Sequence, residues 1–366
     1  MILSTIAVLF TFGIVIFLHE FGHFVVCKLA GIKVEAFSFG FGKELFGRTR
    51  GDTRYSIRAI PLGGYVKPAG ENPDDATGHP DEYFSKPWYI RLGVVFAGPF
   101  MNYLLAFILF SAIMYTVGRP VYSSVIGVLA PGLPAASAGL KPGDRVVSVD
   151  GTAVATWDEM AALIREKVES EVLIGYERNG VRAELRMRTK KGAQPETGKP
   201  IGLIGVSPDQ EITAYKKAGL SDSLSFGAGQ CYFWTAYTVT TLASNIKRRE
   251  KPDISGPIGL VTIVSKAAHS GMTELFFLIA LISVAVGFFN LLPIPLLDGG
   301  HAVLFIAEGI LRRKPGPKAM TWVNSAGIAV LLCILLFATY NDIRRFIPSS
   351  KPSPMEQPVP GPVRPK

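Results

Sequence analysis

Apolar residues along this chain fall into blocks. Charge-free stretches occupy residues 1–18, 92–118, 275–297 and 319–341, each close to the ~20 residues a helix needs to cross a bilayer. With their flanks they predict four transmembrane helices, at 1–27, 92–118, 273–300 and 319–341. A fifth charge-free stretch, 223–246, is as long but rich in Ser, Thr, Gly and aromatic residues. That pattern suits a helix lying at the membrane surface, so 209–271 is expected to be an interfacial, amphipathic segment. The first block has no basic lead-in and no small-residue cleavage site ahead of His19, which predicts a retained anchor rather than a signal peptide.

Between the blocks the pattern changes. Residues 121–208 carry short alternating runs bounded by turn residues: Pro142-Gly143-Asp144 reads as a turn, Arg145 to Val149 as a strand and Asp150-Gly151 as the next turn. Thr156 and Glu159 make a capping box for a helix reaching about Lys167. Asn179-Gly180 signals a hairpin. In the loop 28–91, residues 53–67 alternate around Tyr55, Ile57 and Ala59, predicting a β-hairpin. Seven prolines in 348–366 predict a disordered tail.

Charge then orients the chain. The loop 28–91 holds ten Lys and Arg and nothing basic precedes the first span, so the loop is expected in the cytoplasm. Arg312, Arg313, Lys314 and Lys318 then also fall inside, and both termini and the 121–208 domain fall outside. Composition agrees with a membrane protein: 48% of residues are hydrophobic, 18% are charged against roughly 25% in soluble domains, and the mean hydropathy is +0.30. A disordered chain or a disulfide scaffold is excluded. The net charge of +9 comes from scattered residues, the densest cluster being the short Lys247-Arg248-Arg249, so no nucleic acid is expected as a partner. The three cysteines, Cys27, Cys231 and Cys333, support neither disulfides nor a thiolate metal site and read as small buried apolar residues.

Against this apolar background, the end of the first span reads His19-Glu20-Phe21-Gly22-His23, an H-E-x-x-H pattern. Residues i and i+4 share a helix face, so both imidazoles can reach one ion. Glu20 sits about 100° round the helix, placed to take a proton from water without being a ligand. Ionisable groups inside an apolar helix are costly unless bound or paired, which favours a metal over a chance string. A catalytic zinc wants a third protein ligand and one open position. Asp298 is the candidate, at the end of the third apolar block behind Pro293 and Pro295, whose freed backbone groups suit the wall of a wet cavity. His301 is a rival ligand, and capping of the following helix is a further reading of Asp298. About eighteen residues of helix, roughly 27 Å, precede His19, which sets the site near the cytoplasmic side.

Four motifs together, His19 to His23, Gly63-Gly64-Tyr65-Val66-Lys67, Ala97-Gly98-Pro99 with Asn102, and Asn290 to Gly300, resemble the site-2 protease family of intramembrane zinc metalloproteases. Within it the chain looks most like bacterial members that regulate sigma-E-type stress responses. The resemblance implies a polytopic α-helical protein of the bacterial inner membrane, with an inserted extracytoplasmic PDZ-like α/β domain. It also implies one Zn2+ per chain on His19, His23 and Asp298, Glu20 as acid/base, and Asn290 binding the substrate backbone or the oxyanion. Gly63, Gly64, Tyr65 and Val66 become candidate substrate-binding residues on a membrane-associated sheet. Gly202, Leu203, Ile204 and Gly205 become a PDZ-like carboxylate loop. Substrates would be single-pass membrane proteins resembling anti-sigma factors, or remnant signal peptides, met within the lipid bilayer. One PDZ-like domain fits where the better-known arrangement has two. The competing expectation is a membrane PDZ adaptor whose metal site is structural or vestigial; a zinc transporter would need polar residues at several depths of its spans.

Overall fold

The computed structural model describes residues 2–72, 76–193, 199–209, 212–248, 256–313 and 316–346. The expected tail at 348–366 lies outside them. The chain divides into two compact units, one of residues 1–113 and 220–366 and the other of residues 114–219.

The first unit is built from helices. Helix α1 (Ile2–Leu29) is followed by strands β1 (Val34–Arg50) and β2 (Thr53–Pro68) and by helix α2 (Trp88–Thr116), which carries Pro99 inside it. The second unit contributes β3 (Arg119–Tyr122), β4 (Ile126–Leu129), α3 (Pro134–Ala138), β5 (Arg145–Val149), β6 (Thr152–Ala153) and α4 (Trp157–Glu166). It continues through β7 (Glu171–Arg178), β8 (Val181–Arg188), β9 (Lys190–Ala193), β10 (Pro200–Leu203), β11 (Val206–Pro208) and β12 (Ile212–Lys216). The chain then returns to the first unit as α5 (Leu220–Arg248), α6 (Pro257–Ser270), α7 (Met272–Leu291), α8 (Asp298–Leu311) and α9 (Pro317–Phe346).

Among the described residues, four helices are long and apolar enough to cross a membrane: α1, α2, α7 and the 325–344 part of α9. The third ends at Leu291, short of the 273–300 read from sequence, because Pro293 and Pro295 break it before Asp298 starts α8. Helix α5 is the fifth charge-free stretch. It packs antiparallel against α2, with Gly227 meeting Phe107 and Ser111, and Cys231 and Thr235 meeting Tyr103. Several of its hydroxyls are satisfied within the helix, Thr235 donating to Cys231 O and Thr238 to Trp234 O. Cys27 is buried as expected, but Cys333 is exposed on an outward face of α9.

Strands β1 and β2 pair twice. Phe37 faces Val66 on one side and Tyr55 on the other, Ser38 faces Tyr65 and Ser56, and Phe39 faces Gly64 and Ile57. Residues 53–57 pair in turn with 46–50, so four runs lie side by side from two strands, antiparallel at the two outer pairings and parallel where 36–39 meets 54–57. The bends fall at Gly40, Gly42 and Gly63, all with positive φ; a Cβ on Gly40 would lie 2.6 Å from Ile60 O.

In the second unit the expected local signals are all present. The Thr156 capping box closes on Glu159, α4 ends at Glu166, and Asn179 and Gly180 (φ 52° and 80°) join β7 to β8 in a two-residue turn with Arg178 opposite Val181. The four-stranded sheet runs β6-β5-β7-β8, and its core gathers Ile126, Val146, Val149, Met160, Ile174 and Ile204. Buried Asp144 clamps the turn: it accepts from Lys141 N (2.7 Å), Arg178 Nε (2.6 Å) and Arg178 Nη2 (2.7 Å). Burial works against the charged form, but these donors and charges hold the carboxyl below its ordinary 3.8. The stabilisation is therefore complete above that value and is lost as the pH falls below it. We expect Asp144→Ala to destabilise this unit by about 2 kcal/mol at pH 7 and to abolish this acid-linked step, as measured by pulse proteolysis of the whole protein across pH.

Candidate active site

Residues His19 and His23 lie on one face of α1, and their Nε2 atoms are 3.3 Å apart. Asp298, the first residue of α8, completes the group: Oδ2 is 3.1 Å from His19 Nε2 and Oδ1 is 3.6 Å from His23 Nε2. Among the described residues these three form a cluster whose ligand atoms all lie within 4.8 Å of one another. Four ligands at 2.0–2.1 Å around a tetrahedral ion stand about 3.3 Å apart, so the observed separations suit zinc. Asp298 Oδ2 is buried without a hydrogen bond although His19 Nε2 is near, as fits donor atoms that converge on a shared point. As a ligand set, these three groups would leave a fourth position open. His301, the rival, instead uses Nδ1 against Leu297 O at 3.2 Å and lines the adjoining cavity.

Local sequence explains how these three side chains are held. The α7–α8 break is tight: Ile294 N donates to Leu292 O, Leu297 N to Ile294 O, and Leu296 takes φ +76°. A Cβ on Gly299 would lie 2.1 Å from Leu292 O, and one on Gly300 2.3 Å from Ile294 O, so glycines are required at both. Helices α1 and α2 cross at small residues. A Cβ on Gly22 would stand 2.3 Å from Ala97 O, and one on Gly98 2.4 Å from His23 Nε2. His23 Nδ1 donates to Val94 O at 2.7 Å, which fixes its orientation. Arg91, fully buried, pairs with Glu308 of α8 and lies over the rings of Phe84 (5.1 Å) and Phe305 (4.6 Å), bracing α8 against the start of α2.

A cavity of about 1380 Å³ adjoins the cluster. Glu20, Val66 and half-buried Asn290 line it together with His19, His23 and Asp298. Its apolar wall comes from residues such as Val15, Ile16 and Val286; its polar wall includes Lys33, Glu35, Lys67, Asp81 and Glu82. The polar wall lets water stand beside a centre otherwise surrounded by apolar helices. Glu82 organises that wall by accepting from Thr77 Oγ1, Thr77 N and Gly78 N, which holds its carboxyl below the ordinary range.

The remaining sequence candidates sort differently. Val66 N donates to Glu20 Oε2 at 3.2 Å, so the strand 64–68 runs directly past the acid. Gly63 and Gly64 are buried, with Ile16 and Ser38 O against them, and serve close approach. Tyr65 Oη accepts from Arg58 Nη2 at 2.7 Å. Gly202 is pressed against the carbonyls of Ile164 and Lys167, Ile204 is in the core, and Ile204 O and Gly205 O accept from Ala135 N and Ala130 N. Leu203 is exposed on β10. The 860 Å³ cavity of this unit is lined by residues such as Gly132, Ser137 and Arg188 and by none of Gly202 to Gly205. Val94, Gly98 and Asn102 were given no role from sequence, although small and polar residues inside an apolar run were a usable signal.

Two imidazoles and a carboxylate beside a glutamate outside their cluster, in a bundle with four membrane-length helices among the described residues, define a membrane metalloenzyme of the H-E-x-x-H class. Residues 7–334 match peptidase family M50, and the chain belongs to that family. It is 34% identical over 92% of its length to a Rhizobium meliloti protein provisionally named a zinc metalloprotease, of which 95% is covered. It is 30% identical over 94% of its length to the zinc metalloprotease RasP of Geobacillus kaustophilus, of which 98% is covered. A quarter of the chain is also similar to the PDZ domain of an SdrC-like protein from Listeria monocytogenes, with 26% identity, 87% of that chain covered and a TM-score of 0.19. The chain is thus a zinc-dependent metalloprotease.

Proposed function

We propose that this enzyme cleaves single-pass membrane proteins inside their membrane segment, near the cytoplasmic side of a bacterial inner membrane. The observation that carries this reading is the meeting of His19, His23 and Asp298 with Glu20 on one cavity, at the end of an 18-residue apolar run. His19, His23 and Asp298 would hold one zinc. When bound, zinc supplies Lewis-acid polarisation of the scissile carbonyl and lowers the pKa of water. Glu20 takes a proton from the attacking water on its carboxylate and passes it to the leaving amide nitrogen. Asn290 turns its side-chain N–H toward the developing oxyanion.

A helical substrate hides its carbonyls in i to i−4 bonds and must open before it can be cut. The outer edge of the strand 64–68, beside Glu20, offers replacement backbone partners to the extended chain. Exposed Leu45, Phe46, Ile57 and Ile60 make the sheet apolar enough to lie against lipid. The loop 28–91 is cytoplasmic, and the PDZ-like unit and both termini are extracytoplasmic. The unit screens substrates by size or by their trimmed ends, and proteins resembling anti-sigma factors and remnant signal peptides are the fitting class.

The test uses purified protein in detergent with a tagged single-span substrate. Cleavage should fall within the apolar segment, stop with a chelator and return with zinc. Cleavage confined to extramembrane sequence, or indifferent to the chelator, would refute the reading.

A further inference from the structure

A histidine binds a metal through a ring lone pair, so its proton must sit on the other nitrogen, and a buried N–H there needs an acceptor. For His23 the acceptor is Val94 O. For His19 the group at that position is the carboxamide of Asn102, whose nitrogen end lies 3.2 Å from Nδ1. The two ends of a carboxamide occupy nearly the same space, and hydrogen-bond chemistry decides between them. An amide N–H aimed at Nδ1 would force the ring proton onto Nε2, where it would face Asp298 and close His19 to a metal. The oxygen end aimed at Nδ1 accepts the proton there and leaves Nε2 free.

We propose that Asn102 is a positioning residue of the metal centre: its amide oxygen accepts Nδ1–H of His19 and turns the Nε2 lone pair toward the point shared with His23 and Asp298. This rests on the zinc reading above. Asn102 is completely buried in α2, and its backbone carbonyl accepts from Ser283 Oγ of α7 at 2.8 Å, so the side chain is anchored where α1, α2 and α7 meet. The far end of the carboxamide is buried with no hydrogen bond. A residue serving packing alone would do better as Leu, since an unpartnered polar atom in such a place only weakens the fold. The group is explained by what it does for His19.

The test measures zinc affinity of the full-length protein in detergent by competition with a chromogenic chelator. Asn102→Leu should bind zinc 10- to 100-fold more weakly, as expected when the outer partner of a ligand is removed. Asn102→Asp, which keeps an accepting oxygen, should restore affinity to within about threefold of wild type, and zinc-free Asn102→Leu should melt no lower than zinc-free wild type. Wild-type affinity in Asn102→Leu, an equal loss in both variants, or a much lower zinc-free melting point for Asn102→Leu would each overturn the proposal. Asp298→Ala belongs in the same titration. If that variant keeps wild-type affinity, the ligand set is at fault and not Asn102.

Discussion

Glu20→Gln should slow cleavage of a single-span substrate by roughly 10³-fold, with zinc content and melting temperature unchanged. Gln has the shape of Glu and keeps an oxygen able to accept from Val66 N, so packing in the cavity is preserved. What is lost is the Glu20 carboxylate, which lines the same cavity as His19, His23 and Asp298 without being one of the three converging groups. Rates from single-turnover cleavage, with metal content from elemental analysis, check this. A fully active Glu20→Gln would remove the proton-transfer role, and loss of zinc from it would make Glu20 a ligand.

Gly98→Ala should cost at least 100-fold in both zinc affinity and cleavage. The added methyl would stand 2.4 Å from His23 Nε2, 2.6 Å from His23 Cε1 and 2.7 Å from His19 Cε1. Neither ring can yield without leaving the shared point, and a displacement of about 1 Å at a reacting centre is enough for such a loss. The Val94 bond on His23 resists rotation further. Gly93→Ala, on the same helix with nothing within 4 Å of its Cβ, is the matched control and should be silent. Equal behaviour of the two variants would show that the α1–α2 crossing does not set the site.

What the sequence made legible was local. The i, i+4 spacing of His19 and His23, the Thr156–Glu159 box and the Asn179-Gly180 turn each depend on neighbours within four positions, and all formed as expected. Asp298 could be chosen because a charge behind two prolines at the end of an apolar run is conspicuous. Groups defined by chain crossing were not legible. Arg91 and Glu308 are 217 positions apart, and neither Val94 O nor Gly98 has meaning until α2 lies across α1. Strand β1 was hidden for a related reason: Gly40, Gly42 and Gly47 interrupt its alternation, and its partners are supplied from both halves of β2. The PDZ-like run was recognisable by its turns, but packing of Gly202 against the end of α4 could not be read from the letters.

The double pairing of β1 with β2 also constrains sliding. In an ordinary two-stranded hairpin a one-residue slip disturbs a single ladder and turns each side chain to the opposite face. Here residues 36–39 are bonded along both edges, so a shift of that run would break the ladders to 64–67 and to 54–57 together. The sheet therefore behaves as a stiff plate with one permitted register, and Val66 meets Glu20 at a position that thermal creep of the strands cannot alter.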